Sequence, residues 1–272
     1  MSRAVSAAGP RELASIAVRE RRLLVELVRR DIRGRFAGAR AGLAWSLLGP
    51  LVQLVSYSAV FAFVYRTTGG ESVETLVTRL FCGLWPWWAF QEGTLRGTTA
   101  VVDQAPLLKR LPLPLELCIL AAVSASFFLQ MIGFALFLLF AQVLGIAVFA
   151  VAWAWLPVAV LMAWALATGL ALVLAPIHLV VRDTIHVLTA VMTIWFFASP
   201  VLYSAEQLPA AVAAWMALNP FTAIVGLVRH AVLGAPFPDP LALGSCVLAI
   251  LTGWFLGPTL LVRARERLDE FW

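Results

Sequence analysis

Through residues 1–42 the apolar positions Leu13, Ile16, Leu23, Leu24, Leu27, Val28 and Ile32 recur at helical intervals, with arginines between them. That spacing predicts an amphipathic helix with its apolar stripe sunk into a membrane interface. Beyond residue 42 the pattern changes to long runs that are apolar on every face. Residues 43–65 are uncharged and broken only by Gly49-Pro50 near their start. At about 1.5 Å per residue such a run crosses a hydrocarbon core about 30 Å thick. Residues 76–97 form a weaker run because they contain Arg79, Glu92 and Arg96. From Leu117 to Val181 no Asp, Glu, Lys or Arg occurs, a length that predicts two spans, 115–144 and 150–181, turning near Gly145. Runs at 184–203 and 241–262 complete a set of six.

Between the last two runs, residues 205–238 are apolar yet interrupted by Pro209, Asn219-Pro220, Gly234, Pro236 and Pro238. Neither half reaches span length. Broken backbone at membrane depth is tolerated only beside protein or a wet cavity. The segment therefore predicts two short helices dipping in from the outer face, hinged at Asn219-Pro220.

The expected fold is an all-α polytopic membrane protein. It has an N-terminal segment 1–42, a transmembrane domain 43–262 with a loop at 98–114, and a tail 263–272. The N-terminal arginines, Lys109-Arg110, Arg182, Arg263, Arg265 and Arg267 fall on one side of this layout, and only Arg66, Arg79 and Arg229 opposite. The positive-inside rule then places both termini in the cytoplasm. The arginine-rich start has no apolar core and does not read as a signal peptide. Composition agrees. The chain is 62% hydrophobic and 13% charged with mean hydropathy +0.91, against roughly 45–50% apolar and about 25% charged for soluble domains.

Candidate chemistry is sparse. A P-loop needs a lysine after a glycine-rich turn, but the single lysine, Lys109, lies in Pro106-Leu107-Leu108-Lys109-Arg110. Cys82, Cys118 and Cys246 are scattered among apolar neighbours and read as small hydrophobes. His178 and His186 flank Arg182-Asp183 without further metal ligands and read as interface polar residues. Glu92 and Arg96 are four apart in a span and share one helical face. They read either as a mutual pair that stabilises one helix or as part of a conduit, because intramembrane charge needs a partner or water. Trp45, Tyr57, Phe61, Trp87, Phe90 and Phe196 belong to a set of aromatics around the same helix. They read as interface and core filling, or as an apolar wall along which sugar rings slide.

In order along the chain stand Arg30-Asp31 through Arg35-Phe36, Gly42-Leu43, Trp45-Ser46-Leu47-Leu48, and Pro50. After them come Gly83-Leu84, Pro86-Trp87, Phe90, Glu92-Gly93, Leu95-Arg96, Asp103, Leu107 to Arg110, and Pro114 with Glu116. Arg182-Asp183, Ser199-Pro200, Tyr203 and Asn219-Pro220 close the series. This ordered series resembles the membrane subunits of ABC-2-type exporters, specifically permeases for O-antigen, capsule and teichoic-acid chains. The resemblance implies a homodimer of six-span subunits around a central conduit, in the bacterial inner membrane. It also implies two copies of a separate P-loop ATPase, binding ATP and Mg, docked on the loop that holds Asp103, Gln104, Leu107, Leu108, Lys109 and Arg110. It implies a polyprenyl-pyrophosphate-linked polysaccharide as cargo. Arg29, Arg30, Arg33, Arg35 and Arg40 are then placed to receive the pyrophosphate, since guanidinium forks onto phosphate oxygens. The segment hinged at Asn219-Pro220 is placed as an outer gate. An ABC-2 permease for a drug or small lipid is the nearest alternative, and a multispan membrane transferase a more distant one.

Overall fold

The computed structural model describes residues 9–36, 73–110, 113–143, 151–203 and 209–268, with scattered positions between 48 and 63. Most of the expected first span, the Gly145 turn and residues 269–272 lie outside the described residues.

All regular structure among the described residues is helical. The expected interface helix is two helices, α1 (Pro10–Arg19) and α2 (Arg21–Arg35), separated at Glu20. The break lets one apolar pattern serve two surfaces. Leu13 and Ile16 of α1 are buried, as is Leu27 of α2. The first helix packs on the last helix of the chain, and the second on the helix expected as span three.

The remaining elements are α3 (Val73–Asp103), α4 (Ala105–Leu108), α5 (Leu115–Val143), a 3-10 turn (Val151–Ala154) and α6 (Trp155–Val180). They are followed by α7 (Thr184–Phe197), α8 (Ala210–Ala217), α9 (Pro220–Leu233) and α10 (Pro240–Leu268). Three stretches are long and apolar enough to cross a bilayer: Leu115–Leu139, Ala152–Val180 and Pro240–Ala264. They correspond to the third, fourth and sixth expected spans. At 31 residues α3 has the length as well, but it is more polar, carrying Arg79, Gln91, Glu92 and Arg96. α10 continues past the expected end of the sixth span to Leu268, within the tail.

The fifth expected span is shorter than its apolar run. α7 has 14 residues and covers about 21 Å, short of a core about 30 Å thick. It ends at Ser199-Pro200, where proline cannot supply the next helical N–H. There Ser199 donates to the Trp195 carbonyl at 2.8 Å, and Tyr203 to the Phe197 carbonyl at 2.8 Å. Within the expected gate segment the break falls at Asn219-Pro220, as its sequence predicts. Asn219 caps α9 by accepting from the Phe221 N–H at 3.0 Å, with Pro220 in the first turn, where its missing N–H costs nothing. Gly234 ends α9 in the left-handed region at φ 66°.

α6 is the hub, packed against α3, α5, α9 and α10. Lipid tails are as apolar as leucine, so helices in a bilayer associate through close packing rather than burial from water, and small residues permit it. α6 supplies Ala159, Ala163, Ala167, Ala171 and Ala175, all buried. Gly169 of α6 faces Gly253 of α10 backbone to backbone: a Cβ on Gly253 would lie 2.7 Å from the Gly169 carbonyl carbon. Gly97 of α3 makes a similar approach, its Cβ position 2.7 Å from Ala171 and Val123 atoms. On the far side of α10, Val247, Leu248, Leu251, Phe255 and Leu256 are exposed, the face such a helix turns to lipid.

This packing predicts that Gly253→Leu destabilises the detergent-solubilised protein by about 1–3 kcal/mol, the usual cost of overpacking. A thermal melt should show it, with Gly244→Ala as control, because nothing lies within 4 Å of a Cβ at Gly244. Equal melting temperatures for both variants would contradict the α6–α10 contact.

Candidate functional site

The amphipathic pattern of α2 places Asp31 and Arg35, four apart, on one face near its end. Glu92 and Arg96 share a face of α3 by the same spacing, and Ala122, Ser126 and Gln130 share a face of α5. The fold brings these three faces together. Arg35 uses all three guanidinium nitrogens: Nη1 donates to Glu92 Oε1 at 2.6 Å, and Nε to Asp31 Oδ2 at 2.9 Å. Nη2 lies 2.7 Å from Asp31 Oδ2, and donates to Ser126 Oγ at 2.8 Å and to the Ala122 carbonyl at 3.4 Å. Asp31 Oδ1 accepts from Arg96 Nη2 at 3.0 Å, and Glu92 Oε2 from Gln130 Nε2 at 2.9 Å.

Two arginines and two carboxylates thus form a cluster that is neutral as a set. Its centre is well covered, with the Arg35 side chain 9% exposed and that of Asp31 13%, while Glu92 and Arg96 stay half open at 36% and 40%. Removing one partner of a buried pair leaves an uncompensated charge, which costs about 3–5 kcal/mol. Glu92 and Arg96 were expected to pair with each other or to line a conduit. Their ion pairs run instead to α2, one to Arg35 and the other to Asp31. The sequence reading missed Ser126 and Gln130, and met Asp31 only within a motif. The available signal was the repeated four-residue spacing, with the polar amide of Gln130 inside an uncharged, largely apolar run.

Beside the cluster lies a cavity of about 310 Å³, bounded by Arg30, Asp31, Arg35, Arg96, Asp103 and Gln104. Arginines expected to meet pyrophosphate and residues expected to meet an ATPase therefore share one cavity. The other expected arginines differ in situation. Arg29 is exposed and bonds Glu26 at 3.0 Å, Arg33 is exposed, and Arg40 lies outside the described residues. Asp103 accepts from Thr99 at 2.7 Å. In α4, Leu107 and Leu108 are half-buried against the core of the chain itself, whereas Lys109 and Arg110 are exposed. His178 is buried and His186 exposed, and no group of three metal-ligating side chains occurs among the described residues.

A second constellation sits at the middle of α3. Trp87 meets Phe221 edge-on at 4.9 Å, and Phe90 meets Trp195 edge-on at 5.3 Å. Phe196 lies 5.6 Å from Trp87. Trp87, Phe90 and Phe196 are thus gathered with Trp195 and Phe221, and the first two are 1% and 0% exposed within one chain. Trp45, Tyr57 and Phe61 lie outside the described residues. Asn219 binds this cluster to the end of α7. Its Oδ1 accepts from Trp195 Nε1 at 2.9 Å, and its Nδ2 donates to Ser199 Oγ at 2.8 Å and the Ala198 carbonyl at 3.0 Å. From α9 the buried Arg229 adds bonds to the Val201 and Tyr203 carbonyls, each 3.0 Å. Gly83 of α3 approaches the Val201 carbonyl so closely that no Cβ fits there.

Comparison with known proteins completes the picture. The chain is 31% identical over 212 residues to the O-antigen export system permease protein RfbA of Myxococcus xanthus, covering 75% of this chain and 78% of that one. It is 21% identical over 204 residues to the protein of the same name from Klebsiella pneumoniae, covering 75% and 77%. The sequence profile described as ABC-2 type transporter matches residues 22–233, which contain the ion cluster, the cavity, α4 and the aromatic cluster. The chain belongs to the ABC-2 type transporter family.

Proposed function

We propose that this chain is the membrane subunit of an ATP-driven exporter for a polysaccharide carried on polyprenyl pyrophosphate, an O-antigen-like polymer. The observation that carries the reading is the similarity to O-antigen export permeases across three quarters of both chains. In this reading the chain spans the inner membrane six times with both termini in the cytoplasm. It works as a homodimer with two copies of a P-loop ATPase, which supply the ATP and Mg sites.

The geometry supports a division of labour at the cytoplasmic end. Arg30, which lines the cavity, and Arg33 are both exposed, where charge-assisted bonds to phosphate oxygens form readily. Arg35 is committed to Asp31 and Glu92, so it holds α2 in place rather than meeting cargo. α4, with exposed Lys109 and Arg110, meets the ATPase. Since Trp87 and Phe90 are covered within one chain, the wall of the conduit falls to other surfaces. α7 turns an uncovered face outward, with Thr189, Thr193, Ile194 and Phe197 exposed. Two copies joined across a passage would place that face, and Trp45, Tyr57 and Phe61 of the first span, along the polymer. The broken segment α8–α9 at Asn219-Pro220 closes the outer end.

Deleting the gene in its own bacterium should remove the polymer from the cell surface and accumulate its lipid-linked form inside. Detection of both species after fractionation checks this, and an unchanged surface polymer would overturn the reading. At the docking surface, Lys109→Glu with Arg110→Glu should lower co-purification of the ATPase about tenfold at low salt, as expected for charges steering an interface. Undiminished co-purification would move the docking surface away from α4.

A further inference from the structure

The ion cluster has an orientation that anchoring alone does not require. Asp31 and Arg35 come from the last turns of α2, immediately before the chain enters the expected first span. Arg96 and Glu92 come from α3, and Arg96 stands seven residues before Asp103, beyond which α4 begins. α3 is continuous from Val73 to Asp103, so a displacement at its α4 end is carried along a single rod. Its amphipathic face would let α2 float on the bilayer surface, yet Asp31 and Arg35 tie it into the groove between α3 and α5.

Asp31 holds the key position because its two oxygens serve arginines from two helices, Oδ2 taking Arg35 and Oδ1 taking Arg96. Without its charge, Arg96 loses its carboxylate and Arg35 keeps only Glu92. α2 then keeps a single ion-pair tie to α3, Arg35 to Glu92, beside the Arg35 bonds to Ser126 and the Ala122 carbonyl of α5.

We propose that Asp31 is a positioning residue for coupling. By bridging Arg35 and Arg96 it supplies the α2–α3 ion pair nearer α4, so that movement applied at α4 reaches α2 and the segment leading into the first span. This rests on the reading above, in which an ATPase acts on α4. A merely stabilising Asp31 would set how much folded protein accumulates. A coupling Asp31 sets how much polymer moves per ATP hydrolysed.

The test uses the full complex in membranes, with export and ATP hydrolysis both normalised to the amount of inserted complex. Asp31→Asn should lower export about tenfold while hydrolysis stays within about twofold, the mark of an interaction used in the driven step. Arg96→Lys, which keeps the charge, should retain export, whereas Arg96→Gln should behave like Asp31→Asn. A cysteine at the half-buried Val28 should react faster with an impermeant maleimide in Asp31→Asn, reporting release of α2. If Asp31→Asn is degraded, Arg96→Gln carries the test, because it alters a half-exposed side chain. Unchanged export in these variants, or export and hydrolysis falling in proportion, would overturn the proposal. Failure of the export reading itself would appear separately, as a wild-type complex that moves no polymer.

Discussion

Arg35 is satisfied from every side, and the arrangement of the cytoplasmic half follows from that requirement. A guanidinium drawn into an apolar helix bundle keeps its charge, so carboxylates must accompany it from within the chain. Asp31 comes from its own helix and Glu92 from α3, while Ser126 and the Ala122 carbonyl of α5 take the remaining hydrogens. Three helices are fixed relative to one another by the need to neutralise and hydrogen-bond one side chain. The cavity bounded by Arg30, Asp103 and Gln104 opens beside that fixed point.

Elsewhere different contacts hold the bundle. Glycine and alanine bring α6 against α10 and α3, where backbone meets backbone at Gly169 and Gly253. Near the middle of α3, aromatic edges meet faces, and Asn219 joins three structural facts in one amide. It caps α9, binds Trp195 and closes over the end of α7. Movement of α7 and of the broken α8–α9 segment is therefore tied through Asn219, with Arg229 adding bonds to the chain just past α7. In the proposed exporter these are the passage wall and its outer closure.

Much of the fold was legible in the sequence because lipid imposes simple rules. Uncharged runs gave the third, fourth and sixth spans nearly at their observed bounds, and Asn219-Pro220 gave the break between α8 and α9. The runs overstated α7, since apolar character continues past Ser199-Pro200 although the helix does not. They also missed the division between α1 and α2, which depends on two docking surfaces rather than on spacing. At the candidate site Arg35, Glu92 and Arg96 were named from the sequence, but the contacts that join them were not. Glu92 and Arg96 are neighbours on one face, but each finds its counter-charge on α2, far away in sequence. Pairing across helices depends on packing, which periodicity within one helix does not encode. Trp87 and Phe90, read either as core filling or as a wall for sugars, are covered by Trp195 and Phe221 within the subunit.

The chain belongs to the ABC-2 type transporter family, and in the function proposed for it a passage linked by a few polar side chains is driven by a separate ATPase. Reconstitution measures that most directly. The purified chain, with and without the proposed ATPase, is placed in liposomes carrying a labelled polyprenyl-pyrophosphate glycan, and the glycan reaching the far side is followed over time. Transfer that needs both polypeptides together with ATP is the predicted result. Transfer by this chain alone at the same rate, or none when both are present with ATP, would contradict it.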